Sequence, residues 1–143
     1  MGAAVCVRER DVAGAPYEAA LRLAVATLPR GTRLLLASDF HDVAALSPFL
    51  RACANRFDCT ALLLRDPWHA GLPLAGFVRL RDAETGASAS AFVDRRARER
   101  FAAGVAAREH ATQDALRRAG CRLGVLDELT SPEAVFARTF GFA

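Results

Sequence analysis

The sequence predicts an α/β protein: a parallel sheet between helices in three layers, with an inserted β-hairpin. Three observations carry this. "RLLLAS" (33–38), "CTALLLR" (59–65) and "CRLGVLD" (121–127) are continuously apolar, as strands covered on both faces are. Segments of helical period separate them, and such alternation builds parallel sheets. One further pair of runs, "FVRLRD" (77–82) and "SASAFVD" (88–94), instead alternates polar and apolar residues around "AETG", a turn signal with Gly86 placed for positive φ.

The elements follow in order. Residues 1–15 have no clear period, although "AAVCV" could add a short strand. "PYEAALRLAVATL" (16–28) reads as a helix, with Pro16 in its first turn and Tyr17, Leu21, Ala24, Val25 and Leu28 on one face. Pro29 and Gly31 end it, and the first apolar strand follows. "DVAALSPFLRACANRF" (42–57) is helical, with a break expected at Ser47-Pro48. "DPWHAGLP" (66–73) after the second strand is a loop. Residues 95–119 form the longest helix, with Asp94 as candidate cap and Gly120 as its stop. Ser131-Pro132-Glu133 starts a short terminal helix, 132–140.

Length and composition narrow the class. A chain of 143 residues, 52% hydrophobic and 24% charged, suits one globular domain spanning 1–143. No apolar run approaches the roughly 18–20 residues that cross a bilayer. "MGAAVCVRERD" is too short in apolar residues for a secretory signal, so the expected location is cytoplasmic. All 19 basic residues are Arg, and the net charge of +3 is too small to point to nucleic acid. Cys6, Cys53, Cys59 and Cys121 lack C-x-x-C spacing, which argues against zinc. Cys59 and Cys121 open apolar runs and are expected to be buried free thiols.

Ligand sites of parallel sheets lie at the C-terminal strand ends. Asp39, Asp66 and Asp127 stand at or just past the ends of the three apolar strands. Two readings stay open: a metal edge, or acids that cap helices and solvate loops. His41 beside Asp39 or Asp42 has the makings of a general base and its orienter, but no G-x-S-x-G elbow supplies a nucleophile. His69, with Asp66 and Trp68, could line a pocket. A response-regulator receiver also ends a strand in Asp, but it needs a Lys and this chain has none. Arg95, Arg96, Arg98 and Arg100 open the longest helix, where positive charge opposes the macrodipole. Glu99 or an acidic partner surface could offset them.

Three segments together resemble a known family: "LLLASDF"; "LLLRDPWHAGLPLAGFVRLRDAETG"; and "RRARERFAAGVAAREHATQDALRRAGCRLGVL" followed by "TSPEAVFARTF". The chain is similar, over about 17–140, to the C-terminal half of the von Willebrand factor A-like bacterial proteins of the domain of unknown function fifty-eight family. The resemblance implies a partial von Willebrand A or Rossmann-like sheet. In von Willebrand A domains Mg²⁺ sits at the sheet edge, held by a D-x-S-x-S, a Thr and a later Asp, and Asp39 matches that Asp. No D-x-S-x-S occurs here, and His69 stands where the family carries an acid. The resemblance therefore implies an incomplete metal site with Asp39 as a single remnant ligand. No cofactor is expected in this chain alone, and Mg²⁺ only if a missing N-terminal half is supplied. Asp39 and Asp42 are then expected to cap and solvate the following helix.

The functional expectation is a non-enzymatic protein-interaction module. Its implied partner is a MoxR-type AAA+ ATPase, in the assembly or maturation of other proteins. Arg95, Arg96, Arg98 and Arg100 are the expected partner-binding residues. Self-association, or pairing with a missing half-domain through the "RLLLAS" edge, is also expected. The alternative is a divergent metal-dependent hydrolase using Asp39, Asp66 and His41.

Overall fold

The structure, a computed structural model, describes residues 16–65, 71–82 and 85–140. Their order is α1 (Pro16–Thr27), β1 (Arg33–Ser38), α2 (Val43–Ala54), β2 (Asp58–Leu64), β3 (Gly76–Arg81), β4 (Ser88–Val93), α3 (Arg95–Arg118), β5 (Arg122–Leu126) and α4 (Pro132–Phe140). The α/β class and every expected element among these residues are found. Expected strands at 3–7 and the loop residues Asp66, Trp68 and His69 lie outside the described residues. The chain divides into two compact units, residues 1–65 with 111–143, and residues 66–110.

The first unit is built on a parallel sheet of order β1-β2-β5. Ser38 pairs with Leu63, and Leu64 with Leu126, so all three strands run to the same edge. Alternation along the strands sends Leu34, Leu36, Cys59, Ala61, Leu63, Cys121, Leu123 and Val125 to one face. There they meet Leu21 of α1, Leu50 and Cys53 of α2, and Leu116 near the end of α3. The predicted apolar stripe of α1 is the one that packs: Tyr17, Ala24, Val25 and Leu28 line this core beside Leu21.

On the opposite face α4 lies against β5 and β2. A Cβ at Gly124 would stand 2.8 Å from Thr139 Oγ1, 3.1 Å from Leu62 Cδ1 and 3.3 Å from Val135 Cγ1. The missing side chain is therefore what lets α4 approach the sheet. The layers are helices, sheet, helix, as expected.

α2 departs from the expected break. It runs as one helix through Pro48. Pro48 lacks the N–H that would bond the Ala44 carbonyl, but Ala44 is exposed, where water can take that bond. α3 ends in a Schellman arrangement. Gly120 N–H donates to the Arg117 carbonyl at 2.9 Å, and Cys121 N–H to the Leu116 carbonyl at 3.1 Å.

The second unit contains the antiparallel hairpin of β3 and β4. Its turn is closed by Gly86 N–H to the Asp82 carbonyl and by Asp82 N–H to the Ala87 carbonyl. Gly86 has φ +71°, the conformation expected from the sequence. A β-branched side chain there is strained by about 1 kcal/mol or more. Gly86→Val should accordingly lower stability in thermal unfolding; an unchanged transition would show that the turn tolerates a Cβ.

Candidate functional site

The C-terminal edge of the sheet gathers the acids that the sequence placed there. Asp39 follows β1 and Asp127 follows β5. Between them, at the end of β2, stands Arg65, which the sequence reading took for a strand residue. Arg65 N–H donates to the Leu126 carbonyl at 2.8 Å, extending the ladder. Its guanidinium reaches the Asp127 carboxylate at 3.4 Å, with both side chains about one-third exposed or less.

Asp127 is held from several sides. It accepts hydrogen bonds from the Thr130 hydroxyl and from Leu129 N–H at 3.1 Å. The Thr130 hydrogen bond leads in holding its carboxyl below the ordinary carboxylate range, with the Leu129 and Thr130 N–H groups and Arg65 adding to it.

Asp39 is differently employed. The Ser38 hydroxyl accepts from Phe40 N–H at 3.1 Å, and the Asp39 carboxylate accepts from His41 N–H at 3.2 Å. These are two successive side-chain turns, each reaching two residues ahead. They frame Phe40, which sits at φ +50° yet is only 1% exposed. A non-Gly residue in that conformation costs about 1–2 kcal/mol. The Phe40 ring lies edge-on to Tyr17 at 6.0 Å, and the Tyr17 hydroxyl donates to the Ala37 carbonyl at 3.1 Å. Burial of the ring thus fixes a strained corner.

The expected helix capping is corrected here. Asp42 is at the N-cap position of α2 but makes no side-chain cap hydrogen bond. Asp39 serves the corner before the helix. Asp94 does behave as predicted, accepting from Ala97 N–H at 2.6 Å at the start of α3.

Mg²⁺ requires several oxygens at about 2.0–2.1 Å. Asp39 and Asp127 follow strands separated by β2, roughly 10 Å apart at the neighbour spacing of a sheet, and Asp127 already holds a guanidinium. Among the described residues no group of three or more His, Cys, Asp or Glu converges. The described side chains of this edge do not fit a Mg²⁺ site.

The thiols are core residues. Cys53, Cys59 and Cys121 are free and buried, and the Sγ of Cys59 in β2 lies 3.4 Å from that of Cys121, the residue just before β5. Hydrogen bonding with Cys121 and burial push the Cys59 thiol far up, and burial raises Cys53. A thiol held protonated is a poor nucleophile.

The arginine face lies in the second unit. Arg95 pairs with Glu99 at 2.7 Å, both well exposed. Arg96, Arg98 and Arg100 are exposed and carry no ion pair among the described residues. Arg95, Arg98 and Glu99 also line a shallow groove of about 290 Å³ with Gly71, Leu72 and Ala102.

These features define an α/β protein with a parallel sheet whose edge is closed at one side by an ion pair, and with a separate hairpin unit. More particularly, the chain belongs to the family described as "Protein of unknown function DUF58", which matches residues 8–112. The match starts earlier than the resemblance read from sequence and ends within α3, before β5 and α4. Neither the curated proteins nor the solved structures yield a match. No helix among the described residues is long and apolar enough to cross a membrane.

Because folding holds the Asp127 carboxyl below its unfolded value, the stabilisation it gives is present at neutral pH. It is lost as pH falls through the folded value. Thr130→Val removes the leading donor, so Asp127 should titrate at higher pH in NMR of the side-chain carboxyls. An identical titration would show that Thr130 does not hold it.

Proposed function

We propose that this chain is a non-enzymatic protein-interaction module of von Willebrand A-like type. It works with a MoxR-type AAA+ ATPase in the assembly or maturation of other proteins. The observation that carries the reading is the exposed, unneutralised group Arg96, Arg98 and Arg100 at the start of α3. Positive charge there is unfavourable beside the helix N-terminus, and of Arg95, Arg96, Arg98 and Arg100 only Arg95 has an ion pair among the described residues, with Glu99. An acidic protein surface supplies the missing countercharge. The family resemblance supports the choice of ATPase, and the guanidinium on Asp127 supports a sheet edge used for cohesion. Charge reversal at Arg96, Arg98 and Arg100 together should abolish binding to a purified MoxR-type ATPase. Unaltered binding, or tight binding of the parent chain to duplex DNA with a steep salt slope, would contradict the reading.

A second feature extends it to self-association. Among the described residues β1 has one neighbour, β2, and Leu35 on its outer stretch is 43% exposed. A strand with free N–H and C=O groups on one side templates pairing with another chain. Sedimentation at micromolar concentration should therefore show species heavier than 15.3 kDa; a stable monomer would remove this part of the proposal.

A further inference from the structure

We infer that the face of the β3–β4 hairpin formed by Phe77, Phe92, Arg79 and Arg81 docks an acidic protein segment that carries an apolar side chain. This rests on the protein-interaction reading and adds to it a surface of different composition from the α3 arginines.

The register builds the face. Phe77 is paired with Phe92, Arg79 with Ser90 and Arg81 with Ser88. Alternation places these six side chains on one side of the hairpin. The other side carries Val78 and Leu80 opposite Ala91 and Ala89, with Val93 at its end only 5% exposed. On that side Leu80, Ala89 and Ala91 are exposed too, but it carries no charge, whereas the Phe–Arg side joins two exposed rings to two guanidinium groups.

A cross-strand aromatic pair commonly serves to hold a hairpin together. The rings do touch, with centroids 4.9 Å apart and planes at 59°. Cohesion alone leaves much of their surface unaccounted for, since Phe77 is 90% exposed and Phe92 58%. No residue of the face covers them, because Ser88 and Ser90 are small and Arg79 and Arg81 lie further along β3. The arginines are exposed and have no ion pair among the described residues. Across the strands they face Ser90 and Ser88, hydroxyls without charge.

Aromatic side chains and Arg are the groups enriched where proteins bind tightly to proteins. An apolar side chain of the partner would seat on the two rings. Carboxylates beside it would meet the guanidinium forks, which match them bidentately. Charge complementarity thus selects an acidic segment. A bilayer fits less well: interfacial binding needs a broad apolar face with its charges opposite, whereas here rings, hydroxyls and guanidinium groups share one flat side.

The test uses the full chain and a fluorescein-labelled peptide of alternating Glu and Leu. Fluorescence anisotropy should show saturable, salt-sensitive binding, weakened about tenfold or more by Phe77→Ser and by Arg79→Glu. Both positions are exposed, and circular dichroism confirms that the variants fold. Leu129→Ser, at a residue 97% exposed in the other unit, should leave binding unchanged. A matched peptide with Lys in place of Glu should not bind. Binding that is lost in Arg96→Glu but kept in Phe77→Ser and Arg79→Glu overturns this inference and leaves the α3 reading standing. Equal binding of the Lys peptide, or tighter Phe77-dependent binding to anionic phospholipid vesicles, also overturns it, as does Phe77-dependent self-association without peptide binding.

Discussion

The structure depends on the burial of one strand. In β2, Cys59 to Leu63 are all buried, with neighbours in the sheet on both sides and helices over both faces. A strand with no solvent face cannot slip by one residue without exchanging its two packed sets. Its register with β1 and β5 is therefore fixed, and so is the alignment of whatever follows the three strands. Thr60 is the polar exception at 1% exposed, yet among the described residues no buried side-chain polar atom lacks a partner. The positions of Asp39, Arg65 and Asp127 at the edge are consequences of this strand.

How far the sequence could be read follows from the range of each interaction. Continuous apolar runs reveal strands because burial on both faces is written into consecutive residues. β1, β2 and β5 therefore fell within a residue or so of expectation, and Asp94 and Gly86 were legible because a cap and a turn are local. What failed was either non-local or locally contested. Arg65 meets Asp127 at a separation of 62 residues, and nothing beside Arg65 announces it. Asp42 looked like a cap, but Ser38 and Asp39 capture the preceding N–H groups in turns of their own. That corner needs Phe40 at positive φ, for which a Phe gives no signal. Proline suggested a break in α2 because propensity argues against it, and an exposed Ala44 made the lost bond tolerable. Of the candidate site, the acids at the edge were visible, but the cation between them was not.

The start of α3 shows local terms offsetting one another. Its first turn has no acidic residue. Asp94 compensates by accepting the Ala97 N–H, and its carbonyl accepts Arg98 N–H at 3.1 Å. Glu99 draws Arg95 back along the helix, a pair one turn apart worth a few tenths of a kcal/mol at about 0.3–0.5. These contacts make the helix tolerable without neutralising Arg96, Arg98 and Arg100.

In a chain whose only strongly basic residue is Arg, residue type cannot separate structural from recognition cations, but partnership can. Arg56 donates to the Leu28 carbonyl at 3.0 Å, Arg65 pairs with Asp127, Arg117 bonds Gln113 at 3.1 Å, and Arg33 and Arg122 both approach Asp58. Each lies in the unit that holds the sheet, and each ties two segments or two turns. Arg79, Arg81, Arg96, Arg98 and Arg100 instead fall within the hairpin unit, exposed and without ion pairs among the described residues. Arg30 and Arg51, which carry no ion pair among the described residues, are scattered singly and need no explanation. Arg79 and Arg81 are different, because the hairpin face they share with Phe77 and Phe92 joins uncompensated charge to uncovered apolar surface. Both are relieved by the same event, the approach of an acidic partner.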